Sequence, residues 1–158
     1  MTFKLRRVVT GHDETGRAIV SIDEIANNVT SSRAGQAGVV VWSTEGHPID
    51  NTDAADGSRR VLGTSIPNGT VFRIVKYDPG VAPRNHRTDS LDYAVVMSGE
   101  IDMDIDGTLV RLKAGDVLVQ RGTIHNWINR GPEPCLIAFT LIGAKPVQVG
   151  GKTLHETG

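Results

Sequence analysis

Two histidines carry the chemistry that this sequence offers. His86 lies in the run Gly80-Val-Ala-Pro-Arg-Asn-His86-Arg-Thr88-Asp-Ser-Leu-Asp92, and His125 in Gln120-Arg-Gly122-Thr-Ile-His125-Asn-Trp127-Ile-Asn129. Both settings read as extended chain, where alternate side chains share a face. Thr88 therefore falls on the face of His86, Trp127 and Asn129 on that of His125, and Asp92, Ala94 and Val96 on one face of the next strand. If the sheet curls up, His86, Asp92 and His125 converge. Two imidazoles and a carboxylate suit Fe(II), Mn(II), Ni(II) or Zn(II) and leave positions for water and substrate. The same residues equally suit a metal-free pocket in which the histidines are hydrogen-bonding walls. Thr88 is a poor ligand, neutral and weakly basic. Asp92 is one methylene shorter than a glutamate, and Asp89, at an odd offset from His86, is a weaker substitute.

Around this centre Thr88, Gln120, Trp127 and Asn129 are the expected pocket residues, Gln120 sharing its face with Leu118. Tyr93 follows Asp92 and points to the opposite face. Arg84 and Arg87 flank His86; a bidentate hold on a carboxylate is one use for them, a solvated surface the default. His12, His47 and His155 lie in turn-like or terminal settings and are expected on the surface. Cys135 opens an apolar strand and reads as a small buried hydrophobe. The run Asp102-x-Asp104-x-Asp106-Gly107 has the start of a calcium loop, but counting on from Asp102 puts Lys113 where that loop needs a glutamate. Aspartates alternating along a strand form a solvated outer face instead.

Strands must position these residues. Val71 to Tyr77, Tyr93 to Ser98, Ile101 to Asp106, Thr108 to Leu112, Val117 to Gln120, His125 to Asn129 and Leu136 to Ile142 are β-branched, aromatic or alternating. Asp106-Gly107 is a hairpin turn, and Leu136 to Ile142 is apolar enough to be buried on both sides. Upstream, Phe3 to Val9 and Arg17 to Ile22 make a hairpin, and Val39 to Trp42 is apolar on both faces. Ser21 to Asn28 could instead hold a helical turn. The connection from Glu45 to Gly69 is long, polar and broken by Pro48, Gly57, Gly63 and Pro67; a loop of that length is expected to cross the barrel or reach a partner subunit. Val147 to Leu154 trails off. Short strands separated by turns, with almost no helix, predict an all-β sandwich or barrel.

The stretch from Gly80 to Asn129 resembles the two motifs of the cupin superfamily. Gly80, His86 and Gly99 fall on the register of G-x5-H-x-H-x3-E-x6-G, with Thr88 at the second histidine and Asp92 at the glutamate. Gly115, Gly122, His125 and Asn129 match G-x5-P-x-G-x2-H-x3-N, one residue shorter between the glycines, with Gln120 near the proline. The resemblance implies a double-stranded β-helix, or jelly roll, with an N-terminal strand extension. Within a single domain of residues 1–158, strands and a long loop occupy 1–70, the barrel motifs 71–142 and a tail 143–158. It also implies a metal bound by His86, Asp92 and His125.

Length and composition narrow the rest. The chain has 158 residues and a net charge of −1, which suits one core and gives no electrostatic footprint for nucleic acid or an anionic membrane. No apolar run reaches the roughly 18–20 residues of a bilayer span. The charged start, Met1-Thr-Phe-Lys-Leu-Arg-Arg, has no apolar signal core behind it. With Cys135 as the only cysteine, the expectation is a cytoplasmic protein. Its partner is a small molecule, acted on by a metal-dependent decarboxylase, dioxygenase, isomerase or dehydratase, or else bound without turnover. Unpaired strand edges in the N-terminal region predict a homodimer.

Overall fold

The computed structural model describes residues 3–158; Met1 and Thr2, the start of the charged N-terminus, lie outside them. Every regular element in that range is a strand: β1 Arg6–His12, β2 Ala18–Ile25, β3 Val29–Thr30, β4 Gln36–Glu45, β5 Gly69–Tyr77, β6 Ser90–Ser98, β7 Glu100–Ile105, β8 Thr108–Lys113, β9 Val117–Arg121, β10 Asn126–Ile128, β11 Cys135–Gly143, β12 Val147–Val149 and β13 Lys152–Leu154. The all-β expectation holds, and Ser21 to Asn28 contains strand rather than a helical turn.

Two antiparallel sheets face each other. The larger has six strands in the order β3-β4-β5-β11-β6-β9, and the smaller three in the order β10-β7-β8. Alternation puts Val71, Val75 and Tyr77 of β5, Ala94 and Val96 of β6, and Ile137, Phe139 and Leu141 of β11 on the inner face of the large sheet. They meet Ile101, Met103, Leu112 and Trp127 from the small one in a single apolar core. β11 lies between β5 and β6. Its odd-numbered side chains are buried and its even-numbered ones half-buried, so it has one core face, not two.

Local chemistry sets the turns. Asp106 and Gly107 both have positive φ, 51° and 92°, as a two-residue hairpin of the primed type requires. Gly99 turns β6 into β7 at φ 74°, and a Cβ there would stand 2.6 Å from the Pro134 carbonyl, so the motif's closing glycine has a steric cause. On β7, Ile101 and Met103 are buried as their alternation demands. Asp102 is buried as well, contrary to the solvated face expected of it, because Arg111 and Arg130 close over its carboxylate with N···O distances of 2.6 and 2.5 Å.

β1 and β2 pair as a sheet of their own. Buried Arg7 ties them to the long connection after β4, donating to Glu24 on β2 and to Asp56 at 2.7 and 2.6 Å. That connection packs on β4, where Arg60 donates to the Ser43 carbonyl at 2.8 Å, and it reaches the barrel mouth, where Arg73 donates to the Thr64 carbonyl at 2.8 Å. Residues after β11 do not trail off. β12 and β13 form a hairpin, and Thr157 beyond it pairs with Arg87.

Candidate functional site

The barrel closes at the histidines. The segments that precede β6 and β10 meet in an antiparallel bridge, His86 N–H donating to the His125 carbonyl at 3.0 Å and His125 N–H to that of His86 at 2.9 Å. The bridge brings the two rings to 4.1 Å between centroids, tilted by 49°. Both side chains are buried. Burial, the neighbouring imidazole and the charges of Arg84 and Arg33 push the His86 pKa down to about 4. His125 is pushed down too, by burial first and then by the same two arginines. Both rings are therefore neutral near pH 7.

Their outer nitrogens are anchored. His86 Nδ1 lies 3.1 Å from the Arg84 carbonyl. His125 Nδ1 has two neighbours, the Thr123 carbonyl at 3.0 Å and Gln120 Nε2 at 3.1 Å. A protonated Nδ1 donates to Thr123, whereas a bare Nδ1 accepts from Gln120. Either tautomer of His125 thus keeps a partner, and its Nε2 is free to accept or donate a proton.

These rings line a cavity of about 640 Å³, within the usual range for small-molecule sites. Trp127 forms part of its wall, edge-on to His125 at 5.8 Å and stacked on Tyr77 at 5.9 Å. Phe139 and Leu141 of β11 add apolar surface, and Gly63 and Thr64 bring the long connection to the rim. Thr88 and Asp92 also face the cavity. Ser90 Oγ lies 2.8 Å from Thr88 Oγ1 and 2.5 Å from Asp92 Oδ1. A serine hydroxyl has one hydrogen, so a bond from Ser90 to the Asp92 carboxylate leaves Thr88 donating to Ser90. Burial pushes the Asp92 pKa up, against the opposing effects of Ser90 and Arg73.

Two expected pocket residues lie elsewhere. Gln120 stands behind His125, directly across from Asp92 in the sheet, and does not line the cavity. Asn129 is a brace: its Nδ2 donates to the carbonyls of Tyr77 and Glu133 at 2.9 Å each, and its Oδ1 accepts from Gly131 N–H at 2.9 Å. The Asn at the motif's end thus shapes the turn before β11. Sequence reasoning missed Ser90, Arg33 and Arg73. The first shares the parity of Asp92 and the last that of Val75 and Tyr77, so alternation held a signal for both. Arg33 lies in a polar loop with no such signal.

The three-ligand metal set does not assemble. His86 and His125 come together, but among the described residues no three histidine, cysteine, aspartate or glutamate side chains are grouped to hold an ion. Asp92 is engaged by Ser90, and Arg33, Arg73 and Arg84 face the same cavity. Two imidazoles under the positive charge of Arg33 and Arg84 do not fit a resident divalent transition metal, which takes three or more protein ligands and is repelled by cations.

Residues 73–142 match the family model described as Cupin domain. The chain is 36% identical over 159 aligned residues to Phomopsin biosynthesis cluster protein C' of Diaporthe leptostromiformis, covering 94% of this chain and 83% of that protein. It is 33% identical to the cupin-domain-containing oxidoreductase fogC of Aspergillus ruber, covering 94% and 77%. The chain belongs to the cupin family. Among solved structures, KdgF from Halomonas sp. aligns with 73% of this cupin and 88% of its own chain, at 17% identity and a TM-score of 0.49. The assignment of this cupin rests on the sequence relatives, and the barrel closed by His86 and His125 is the form it takes here. No helix among its described residues is long and apolar enough to cross a membrane.

Proposed function

We propose that this cupin is an enzyme of small-molecule biosynthesis that moves protons on its substrate, with His86 and His125 as an acid–base pair and no resident metal. The observation that carries the reading is the pair itself: two buried neutral imidazoles, 4.1 Å apart, on the wall of a cavity of substrate size. A neutral imidazole is matched to proton transfer near pH 7, a contribution of about 10²- to 10⁴-fold in rate. His125, with a partner for either tautomer, is suited to take a proton from one atom and return it to another. Isomerisation or dehydration next to a carbonyl is the reaction class that needs this. Trp127, Phe139 and Leu141 would exclude water, and Thr88 would orient a substrate oxygen through the hydroxyl chain to Asp92. The biosynthesis cluster named for the Diaporthe relative supports a small organic substrate.

The names of other relatives favour a second reading. The Aspergillus ruber protein, and srdB of Neurospora crassa at 31% identity, are called cupin-domain-containing oxidoreductases, and redox work here would call for a metal that only His86 and His125 come together to meet. One preparation decides between the two. Protein purified without an affinity tag in chelator-free buffer is expected to carry far less than one metal per chain by elemental analysis. In D2O it should exchange the α-hydrogens of a panel of ketones and enones, and His125→Ala should lose that exchange by about 100-fold or more while staying folded. Stoichiometric metal, or exchange indifferent to His125, would sink the acid–base reading. We further propose that this cupin is a homodimer.

A further inference from the structure

We propose that the large cavity is a carboxylate site, taking a small organic acid whose carboxylate is held by Arg33 and Arg73 and whose apolar body lies against Trp127, Phe139 and Leu141. The proposal rests on the reading of the cavity as a substrate site and names the class of substrate. Arg73 lies on β5 between inward-facing Val71 and Val75, so alternation sends its guanidinium into the barrel. One edge is anchored, Nη2 donating to the carbonyls of Gly63 and Thr64 at 3.1 and 2.8 Å. Its Nε is buried with no partner. Arg33, from the loop before β4, is held in a similar way. Its Nε donates to the Ala82 carbonyl at 2.8 Å, its guanidinium carbon lies 5.9 Å from the Tyr77 ring centroid, and its Nη2 is buried with no partner.

Both groups line the same cavity. Each is fixed by backbone carbonyls on one side and keeps an unsatisfied N–H, in a place where an unpaired charged donor is costly. An anionic acceptor supplied by a ligand resolves both. The charge around the cavity agrees: Arg33, Arg73 and Arg84 face it against one carboxylate, Asp92, whose Oδ1 is already engaged by Ser90. Planar guanidinium forks match the two oxygens of a carboxylate. Inorganic phosphate has no apolar body to lie against Trp127, Phe139 and Leu141.

The test uses the whole chain, 3-phenylpropionate, its neutral amide and inorganic phosphate, titrated by calorimetry at pH 7. The acid is expected to bind at least about 10-fold tighter than the amide, a difference typical of one charge-assisted contact. Arg33→Gln and Arg73→Gln should each bring the acid's affinity down to about that of the amide. Because Arg73 also pins the long connection, Arg33→Gln and the acid–amide comparison in the unaltered protein stand as independent readings. Equal binding of acid and amide, or a preference that survives both substitutions, overturns the clamp and leaves the cavity a small-molecule site. Phosphate competing as strongly as the acid replaces the carboxylate with a phosphate. Binding of none of the three overturns both the clamp and the cavity's role.

Discussion

Burial sets the charge of the two imidazoles, and that has a consequence for stability. A histidine titrates near 6.5 in an unfolded chain, whereas burial and the adjacent ring hold His86 at about 4. Between those values the unfolded chain binds a proton that the folded chain refuses, so stability is fully present above about pH 6.5 and is lost as the pH falls toward 4. Asp92, with its pKa raised by burial, acts in the opposite sense: folding retains a proton that the unfolded chain would release, and its contribution weakens as the pH rises. A variant comparison separates the two. His86→Gln should lose less melting temperature than the unaltered protein between pH 7 and pH 4.5; equal losses would mean that the imidazole is not depressed. The spacing of glycines and histidines makes this pair legible in the sequence, and strand parity brings in Asp92 and Thr88. Their hydroxyl chain through Ser90 was not legible, because a Ser two residues from an Asp has no distinct signal. Nor was the placing of Arg33 and Arg73 on one cavity, which depends on how a loop and a strand forty residues apart fold together.

At the scale of elements, the strands that alternate cleanly were readable, and the connections were not. β5 to β11 lie close to where apolar periodicity puts them, since one buried face fixes parity. The course of the long segment after β4 depends on distant cations that periodicity does not describe. Arg7 is the clearest of these. Its guanidinium is buried and bridges β2 to that segment through Glu24 and Asp56, and Arg7 in turn holds the Asp56 carboxyl well below the usual carboxylate range. Removing one member of such a bridge strands the others, at about 3–5 kcal/mol when all are buried. Glu24 and Asp56 are partly open to solvent, 34% and 25% exposed, so about 2 kcal/mol is a better expectation for Arg7→Ala. Urea unfolding should report that loss, with faster proteolytic cutting between residues 46 and 68. Unchanged unfolding and cutting would show that the hairpin and the connection hold their places without the bridge. The same kind of tertiary contact explains Asp102, whose sequence pattern says solvent and whose arginine neighbours say otherwise.

At the scale of the whole molecule, the outer face of the six-stranded sheet carries exposed apolar side chains. The strands of Phe3 to Ile22 and the apolar stretch Val39 to Trp42 predict a homodimer. In that stretch Val39 is buried and paired on both sides, to Val29 of β3 and Ile74 of β5, and Val40 to Trp42 are half-buried. A better surface lies on β6 and β9. Tyr93 stands opposite Val119 and Val95 opposite Val117, and these four are 49%, 59%, 44% and 73% exposed. Met97 continues the row along β6, and Phe72 extends it across β11. Contiguous apolar side chains on adjacent strands mark an interaction surface more often than they stay in water. Two-fold pairing is the commonest symmetry of soluble oligomers, and it would bring one such face against another. The cavity opens on the other side of this sheet, so such a dimer would leave both sites accessible. Light scattering on the eluting protein is expected to give twice the 17.0 kDa of one chain. Val119→Glu, which sets a charge opposite Tyr93 in the centre of the face, should shift it to the monomer without lowering ligand affinity. A monomer at micromolar concentration before any substitution would remove the dimer, and a dimer untouched by Val119→Glu would move the interface to the exposed Val8, Ile19, Val20 and Ile25 of the N-terminal hairpin.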